Sequence, residues 1–437
     1  MVSVVAMRTS LRTCAFVAAA GAATLFITSA PAVAASSGST ALVDVAADGT
    51  PGNGLVSYTD ISADGRYVAF VSEADNLVPG DADNVADVFV RDTVGGTTTL
   101  VSGAPGGQPA NGRAHWGVAI SGNGRYVAFT SMASNLIAGD TNNRPDIFVH
   151  DRQTGVTTRE NVFTGGRQVS GPSFFGTISD NGRHVEFLIG GGADTDDEGV
   201  PVAMQTAFVH DRQTGRTTRV GRPVGGGPGL IMLDATVSGN GKRVVFTGWG
   251  DWLGDGTTGA GVYVYDLASR VTVRATRLSV GSAAGTSISR DGGRVGWHSE
   301  DRHVPADTNS LSDVYVHDLI TEGTTLVSAG RSGSASGGGA GRLTRGGRYV
   351  VFSSTATDLV ASDANGSVAD VFVRDLNTGR TTAASVTATG ATGNGDSSSP
   401  VASADGSRVA FLSRATDLGV DPGHGRPHLY LHCLRNC

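Results

Sequence analysis

One cassette recurs seven times along this chain and constrains its fold more than any other feature. It reads Ser-x-Asp/Asn-Gly-Arg, an apolar strand with an aromatic near its end, a long loop, then Asp-Val-Phe-Val-x-Asp and a Thr-Gly turn. The copies begin at Ser62, Ser121, Ser179, Ser238, Ser289, Thr344 and Ser403. The aromatic recurs at Phe70, Phe129, Phe187, Phe246, Trp297, Phe352 and Phe411, every 51–59 residues. A mainly β repeat of that length marks a propeller with one four-stranded blade per repeat. The pattern predicts an all-β, seven-bladed β-propeller with four-stranded antiparallel blades. Function stays open at this point, because propellers carry many unrelated activities.

The first repeat shows the plan of a blade. Residues 59–62 form the innermost strand, and Ala63-Asp64-Gly65 turns the chain with glycine supplying positive φ. Residues 66–72 are apolar almost throughout, as expected of a strand covered on both faces by neighbouring blades. A loop over 73–86 leads to the strand Val88-Phe89-Val90, and Asp92-Thr93-Val94-Gly95-Gly96 turns into an outer strand over 97–102. The Asp that follows the third strand recurs at Asp151, Asp211, Asp266, Asp318 and Asp375, a side chain placed to bond its own turn.

The last repeat has no outer strand, whereas Thr40-Ala41-Leu42-Val43-Asp44-Val45 precedes the first and reads like the outer strands Thr99-Leu100-Val101-Ser102 and Thr325-Leu326-Val327-Ser328. The N-terminal strand is therefore expected to complete the last blade and close the ring without an open edge. The propeller then spans residues 40–433, after a short linker over 35–39 and before a tail over 434–437. Cys433, which ends the propeller, and Cys437, four residues on in the tail, are expected to form a local disulfide.

Residues 1–34 read as a secretory signal: Arg8 and Arg12, an apolar stretch over 14–30, and the small-x-small site Ala32-Val33-Ala34. A start at Met1 or at Met7 both fit. The apolar stretch falls short of the roughly 18 residues of a membrane span, so no insertion after cleavage is expected. Losing two arginines takes the formal charge from −7 to −9. Lys242 is the only lysine and no basic stripe exists, which speaks against nucleic acid as a partner. The expected product is a monomer, secreted or held at the cell envelope.

The repeats resemble the TolB-like, WD40-like propeller repeats of exported bacterial proteins. The likeness rests on Ser62-Ala63-Asp64-Gly65-Arg66-Tyr67-Val68-Ala69-Phe70, on Asp-Val-Phe-Val-Arg-Asp at Asp87 and again at Asp370, and on Asn377-Thr378-Gly379. It covers about nine-tenths of the chain and implies the fold. Activity is not implied with it: TolB carries a further N-terminal domain and binds envelope lipoproteins, other relatives add an α/β-hydrolase domain, and polysaccharide lyases occur on related propellers.

In a four-stranded antiparallel blade the first and third turns share one face of the ring, and here both are tight. The second loops and the Gly-rich crossings over 103–113, 221–230, 329–341 and 389–398 are long and share the other face, where binding is expected. Two groups of residues stand out there. Acidic loops place Asp81, Asp83 and Asp87 in blade one, Asp140, Asn142 and Asp146 in blade two, Asp307, Asn309 and Asp313 in blade five, and Asp363, Asn365 and Asp370 in blade six. Oxygen ligands at such spacing suit Ca²⁺, and the same residues also suit plain turn formation. The second group is aromatic: Tyr58, Trp116, Phe174 and Phe175 open innermost strands, and Trp249 and Trp252 sit in the blade-four loop. Such rings can stack a sugar or anchor a protein, or they can fill the narrow ends of the blades.

His150, His210 and His317 occupy one repeat position near the tight-turn face, which argues against a metal there. No Gly-x-Ser-x-Gly, His-Glu-x-x-His or P-loop motif is present. The sequence thus points to an exported, non-catalytic propeller that binds a protein or glycan on its long-loop face. A carbohydrate-active enzyme, lyase or glycosidase, with its site at the channel mouth is the alternative, and a purely structural envelope protein is a third.

Overall fold

Each cassette folds into four antiparallel strands. In blade one these are Val56–Ile61, Tyr67–Ser72, Asp87–Asp92 and Thr97–Leu100, hydrogen-bonded in that order from the axis outward. Seven such sheets are present in this computed structural model. The structure describes residues 38–435 apart from residues 82–84, 204, 223–229, 257–258, 280–282, 420–421 and 424. The expected signal segment over 1–34 lies outside the described residues.

The two aromatics of the cassette explain its conservation of form. The second-strand ring packs on the third-strand ring of the same blade: Phe70 on Phe89, Phe129 on Phe148, Phe187 on Phe208, Phe246 on Tyr263, Trp297 on Tyr315, Phe352 on Phe372 and Phe411 on Tyr430. Their centroids are 5.6–6.2 Å apart. Each of these rings is at most 2% exposed, so each pair adds a large apolar area to the core of its blade.

The polar letters set the turns. Ser62 Oγ donates to Asp64 Oδ1 (2.5 Å) and accepts from the Tyr67 N–H (2.9 Å), and Gly65 takes φ +71. Arg66 then reaches the other tight turn, with Nε and Nη2 donating to Asp92 Oδ1 (2.9 Å) and Oδ2 (2.7 Å). Asp92 Oδ1 also accepts from Val94 N (3.0 Å) and Gly95 N (2.8 Å), so it bonds its own turn as expected and holds the arginine as well. The same fork joins Arg125 to Asp151, Arg183 to Asp211 and Arg348 to Asp375, and the paired arginine holds those three carboxyls below the ordinary carboxylate range.

Blades are keyed to one another at the turn glycine. A Cβ on Gly124 of blade two would collide with the Tyr67 ring of blade one, and Gly182 meets Tyr126 in the same way. Arg152 of blade two covers the Tyr67 ring at 4.1 Å.

Blade seven comprises Ser397–Ala402, Arg408–Ser413 and His428–Cys433, and its fourth strand is Thr40–Leu42 from the other end of the chain. Thr40 pairs with His432 and Leu42 with Tyr430, so the ring closes as the sequence predicts. Cys433 is disulfide-bonded at this seam. Its expected partner Cys437 lies outside the described residues.

Candidate ligand-binding channel and acidic loops

Every innermost strand is interrupted by a bulge, as at Val56/Thr59 in blade one and Ala114/Val118 in blade two. A bulge bends the strand and re-aims its side chains, and here it turns residues at the long-loop end toward the axis. Trp116 stands in the blade-two bulge with φ +60, a conformation costing a bulky residue about 1–3 kcal/mol. An aromatic arc results. Tyr58 meets His115 with centroids 6.1 Å apart, His115 meets Trp116 at 4.4 Å, and Trp116 meets Phe174 edge-on at 5.0 Å. The Phe175 side chain lies outside the described residues.

The arc borders an axial cavity of about 540 Å³ whose walls include Tyr58, Asp60, Trp116, Asp234, His298 and Arg342. Its polar groups are partly used in joining blades. Asp60 Oδ2 accepts from Ile120 N (2.8 Å), Asp234 Oδ2 from Thr286 N (2.5 Å), and Ser287 Oγ from Leu343 N (3.0 Å). Burial pushes the Asp234 carboxyl up, with Arg342 opposing. Behind the wall, Glu186 is fully buried and accepts from Thr177 Oγ1 (3.0 Å). Burial drives its carboxyl well above the ordinary range.

At the tight-turn end the channel narrows to an iris. Backbone bonds link the first turns of adjacent blades, from Ala63 N to Gly122 O (3.0 Å) round to Ala404 N to Ala63 O (2.9 Å). Arg345 crosses the opening. It donates to Asp180 Oδ1 (2.6 Å), to the Ile120 carbonyl (2.6 Å) and, at 3.4 Å, to Asp60 Oδ2. Arg290 pairs with the same Asp180 at 3.0 Å. These residues fill the x of Ser-x-Asp-Gly, a position occupied by Ala63, Gly122 and Gly239 in other blades. The departure from small residues was readable in the sequence, but its meaning depends on seven turns meeting at one axis.

The acidic loops divide into two kinds. In blade two, Arg159 of the outer strand lies 3.6 Å from Asp140 and 3.5 Å from Asp146, and Gln168 Nε2 donates to both (3.1 and 3.2 Å). Asn142 donates to Asp146 at 3.2 Å. In blade five, Asp307 accepts from the Tyr315 hydroxyl, while Asp313 Oδ1 accepts from Ser328 Oγ (2.5 Å) and Gly337 N (3.0 Å). In blade six, Asp363 Oδ1 accepts from Thr392 Oγ1 (3.1 Å), Asp370 Oδ1 from Ser385 Oγ (2.7 Å), and Asn365 Nδ2 donates to the Gly393 carbonyl. Asp81 and Asp87 of blade one are buried, and Asp83 lies outside the described residues. Among the described residues no three His, Cys, Asp or Glu side chains gather around one point. A cation here would depend on amide, hydroxyl and backbone oxygens beside the carboxylates.

Blade four's tryptophans separate. Trp252 is 5% exposed and packs edge-on against Phe246 with centroids 4.8 Å apart, so it belongs to the blade core. Trp249 ends the second strand, Arg243–Trp249, and is half-buried. His150, His210 and His317 each place Nδ1 2.9–3.0 Å from an outer-strand threonine hydroxyl, which ties the third strand to the fourth.

No family model and no curated protein sequence matches this chain. Solved structures do. The propeller domain of the Trilobed protease from Pyrococcus furiosus, titled as having an open velcro topology, is 13% identical and aligns over 89% of this chain and 97% of its own with a TM-score of 0.52. Oligogalacturonate lyase from Vibrio parahaemolyticus is 11% identical over 92% and 99% of the two chains, with a TM-score of 0.50. TolB from Acinetobacter baumannii is 15% identical over 62% of this chain and 53% of that one, with a TM-score of 0.38. At such identities the likeness establishes the propeller fold alone. Among the described residues no helix is long and apolar enough to cross a membrane.

Proposed function

We propose that this protein is an exported, non-catalytic propeller that binds a glycan or protein ligand at the long-loop mouth of its channel. The observation that carries the reading is the arc of Tyr58, His115, Trp116 and Phe174 beside a cavity of about 540 Å³. Rings at the rim offer stacking faces, while Arg342 and Asp234 in the same wall offer a hydrogen-bonding donor and acceptor. A sugar unit needs that combination, and so does the end of a peptide. Asp60 and Asp234 are engaged in bonds between blades, which suits a rigid binding site better than acid–base turnover.

The test is a glycan array followed by calorimetry with the oligosaccharides that bind. Tyr58→Ala and Trp116→Ala should each weaken those hits at least about tenfold, the scale of losing a buried aromatic anchor. Unchanged affinity in the double variant would place the site elsewhere.

A second reading, a carbohydrate-active enzyme, is favoured by one specific observation. Glu186, whose buried carboxyl is driven toward the protonated form, lies close enough to feel the charge of Asp234 on the channel wall. A carboxyl raised in this direction is what a general acid requires. Release of reducing-end or unsaturated products, lost in Asp234→Asn, whose burial-raised carboxyl stands on the channel wall beside Glu186, would decide for the enzyme.

A further inference from the structure

Three blades neutralise their acidic loops with an arginine from one fixed place; blades one, five and six do not, blade one having Leu100 there, and its loop includes residues outside the described ones. Arg159, opposite Phe148 on the outer strand of blade two, faces Asp140 and Asp146. At the same place in blade three Arg219 pairs with Asp196 (3.3 Å), and in blade four Arg274 pairs with Asp255 (3.2 Å). In blade five that position, opposite Tyr315, is Leu326; in blade six, opposite Phe372, it is Ala383. The place of Gln168 is taken there by Ala335 and Thr392, which hold the same isolated bridge within the crossing after the outer strand.

Blades five and six nevertheless keep both carboxylates. Asp313 and Asp370 are 0% exposed, and each uses Oδ1 to accept from a serine hydroxyl. Among the described residues, no hydrogen-bond partner meets the buried Oδ2 of Asp313, Oδ2 of Asp370 or Oδ1 of Asn365. Arg302, near the blade-five loop, donates instead to the carbonyl oxygens of Asn309 (2.8 Å) and Thr308 (3.3 Å). A buried carboxylate with an open oxygen is costly unless a positive charge meets it.

We propose that blades five and six each bind a divalent cation, Ca²⁺ by preference, at Asp307–Asn309–Asp313 and Asp363–Asn365–Asp370, where blade two uses the Arg159 guanidinium. The donors are carboxylate, amide and hydroxyl oxygens on loops, with Thr392 Oγ1 already beside Asp363 in blade six. Ca²⁺ accepts six to eight such oxygens in irregular geometry and completes its shell with water, whereas Mg²⁺ demands a near-octahedral set. The assignment stands apart from the channel reading, because these loops lie between the second and third strands and contribute nothing to the cavity wall.

The experiment is calorimetry of chelator-treated full-length protein with CaCl₂ alone, paired with thermal melts. Leu326→Arg and Ala383→Arg should each remove one equivalent of bound calcium, and Arg159→Leu should add one. Wild type should gain about 4 °C or more at calcium a hundredfold above its Kd, and the double arginine variant should gain none from these two blades. Should either arginine variant fail to fold, Asp313→Asn and Asp370→Asn serve instead, since an amide oxygen still accepts from Ser328 or Ser385; each should cost one equivalent. No binding heat at millimolar calcium would overturn the proposal. So would calcium binding that survives both asparagine substitutions, or a response to Mg²⁺ equal to that to Ca²⁺.

Discussion

His428 Nδ1 stands 2.8 Å from Asp44 Oδ2, although 384 residues separate them and both side chains are buried. Asp44 Oδ1 also accepts from the Leu429 N–H at 2.9 Å. This is the bond that Ser102 Oγ makes to Val88 N, and Ser328 Oγ to Val314 N, both at 2.9 Å. In those blades an Asp opens the third strand and a serine follows the outer one. At the ring closure the positions are kept and the chemistry is exchanged, His for Asp and Asp for Ser. Burial raises the Asp44 carboxyl, and His428 opposes that rise.

The closure should therefore behave as one coupled unit. Asp44→Ala and His428→Ala are each expected to cost about 3 kcal/mol or more, because each strands a buried polar partner. Asp44→Ser combined with His428→Asp recreates the pair of the other blades and should recover most of that loss. Urea midpoints of the full cycle check this, and strictly additive effects would mean that the two side chains are not coupled.

A second histidine at the seam gives the closure a pH dependence. His432 is 2% exposed, lies with Nδ1 2.9 Å from Thr40 Oγ1, and is pushed by burial from 6.5 down to about 4. Between those values the unfolded chain binds the proton and the folded chain does not. Stability should accordingly fall as pH drops from about 6.5 to about 4, by a total of about 3 kcal/mol, and level off below. His432→Gln should flatten that limb. The same slope in wild type and variant would assign it to other groups.

The turn glycines separate two costs that are usually confounded. Gly155 has φ +71 and open space where a Cβ would stand, while Gly124 has φ +70 and the Tyr67 ring of the preceding blade in that space. Gly155→Ala should cost about 1–2 kcal/mol for left-handed backbone alone. Gly124→Ala should cost about 2 kcal/mol more, because the ring must move. Equal losses in chemical denaturation would mean that the Tyr67 seat contributes nothing to blade stacking.

How much of this was legible in advance follows from the range of each interaction. Strand order, blade count and closure were readable, because each depends on a local period and one match between the chain ends. The Asp after the third strand reads as a turn former from sequence alone, and Asp92 does bond its own turn. Its second role, gripping Arg66 or its counterparts, needs two turns brought to one face. The Arg345–Asp180–Arg290 plug joins three blades, and only the odd x residues of Ser-x-Asp-Gly hint at it. Arg159, Arg219 and Arg274 were visible as letters, yet their meaning appears only once each outer strand is set in register against its third strand. Trp252 sits in a polar, Gly-rich stretch that reads as an exposed loop, and it turns inward because Phe246 and Tyr263 offer an apolar wall.

The plug itself is testable. Arg345→Met removes the charge that meets Asp180 and Asp60 and keeps the length of the side chain. It should cost about 2–3 kcal/mol, moderated by the partial exposure of all three groups. It should also speed hydrogen exchange at the Ile120 amide, whose acceptor Asp60 loses its neighbour. Exchange unchanged at Ile120 would show that Asp60 is held without Arg345.

Trp116 offers the sharpest separation of stability from binding. Its φ of +60 is glycine-like, so Trp116→Gly relieves backbone strain of about 1–3 kcal/mol. The same change loses the edge-on contact with Phe174 and the packing on His115, worth a similar amount for a half-buried ring. The two should nearly cancel, leaving the melting temperature within about 2 °C of wild type. Ligand affinity should fall at least about tenfold, because the stacking face is gone. A large loss of stability would mean that the ring is there to pack the mouth. Retained stability with retained affinity would remove Trp116 from the site.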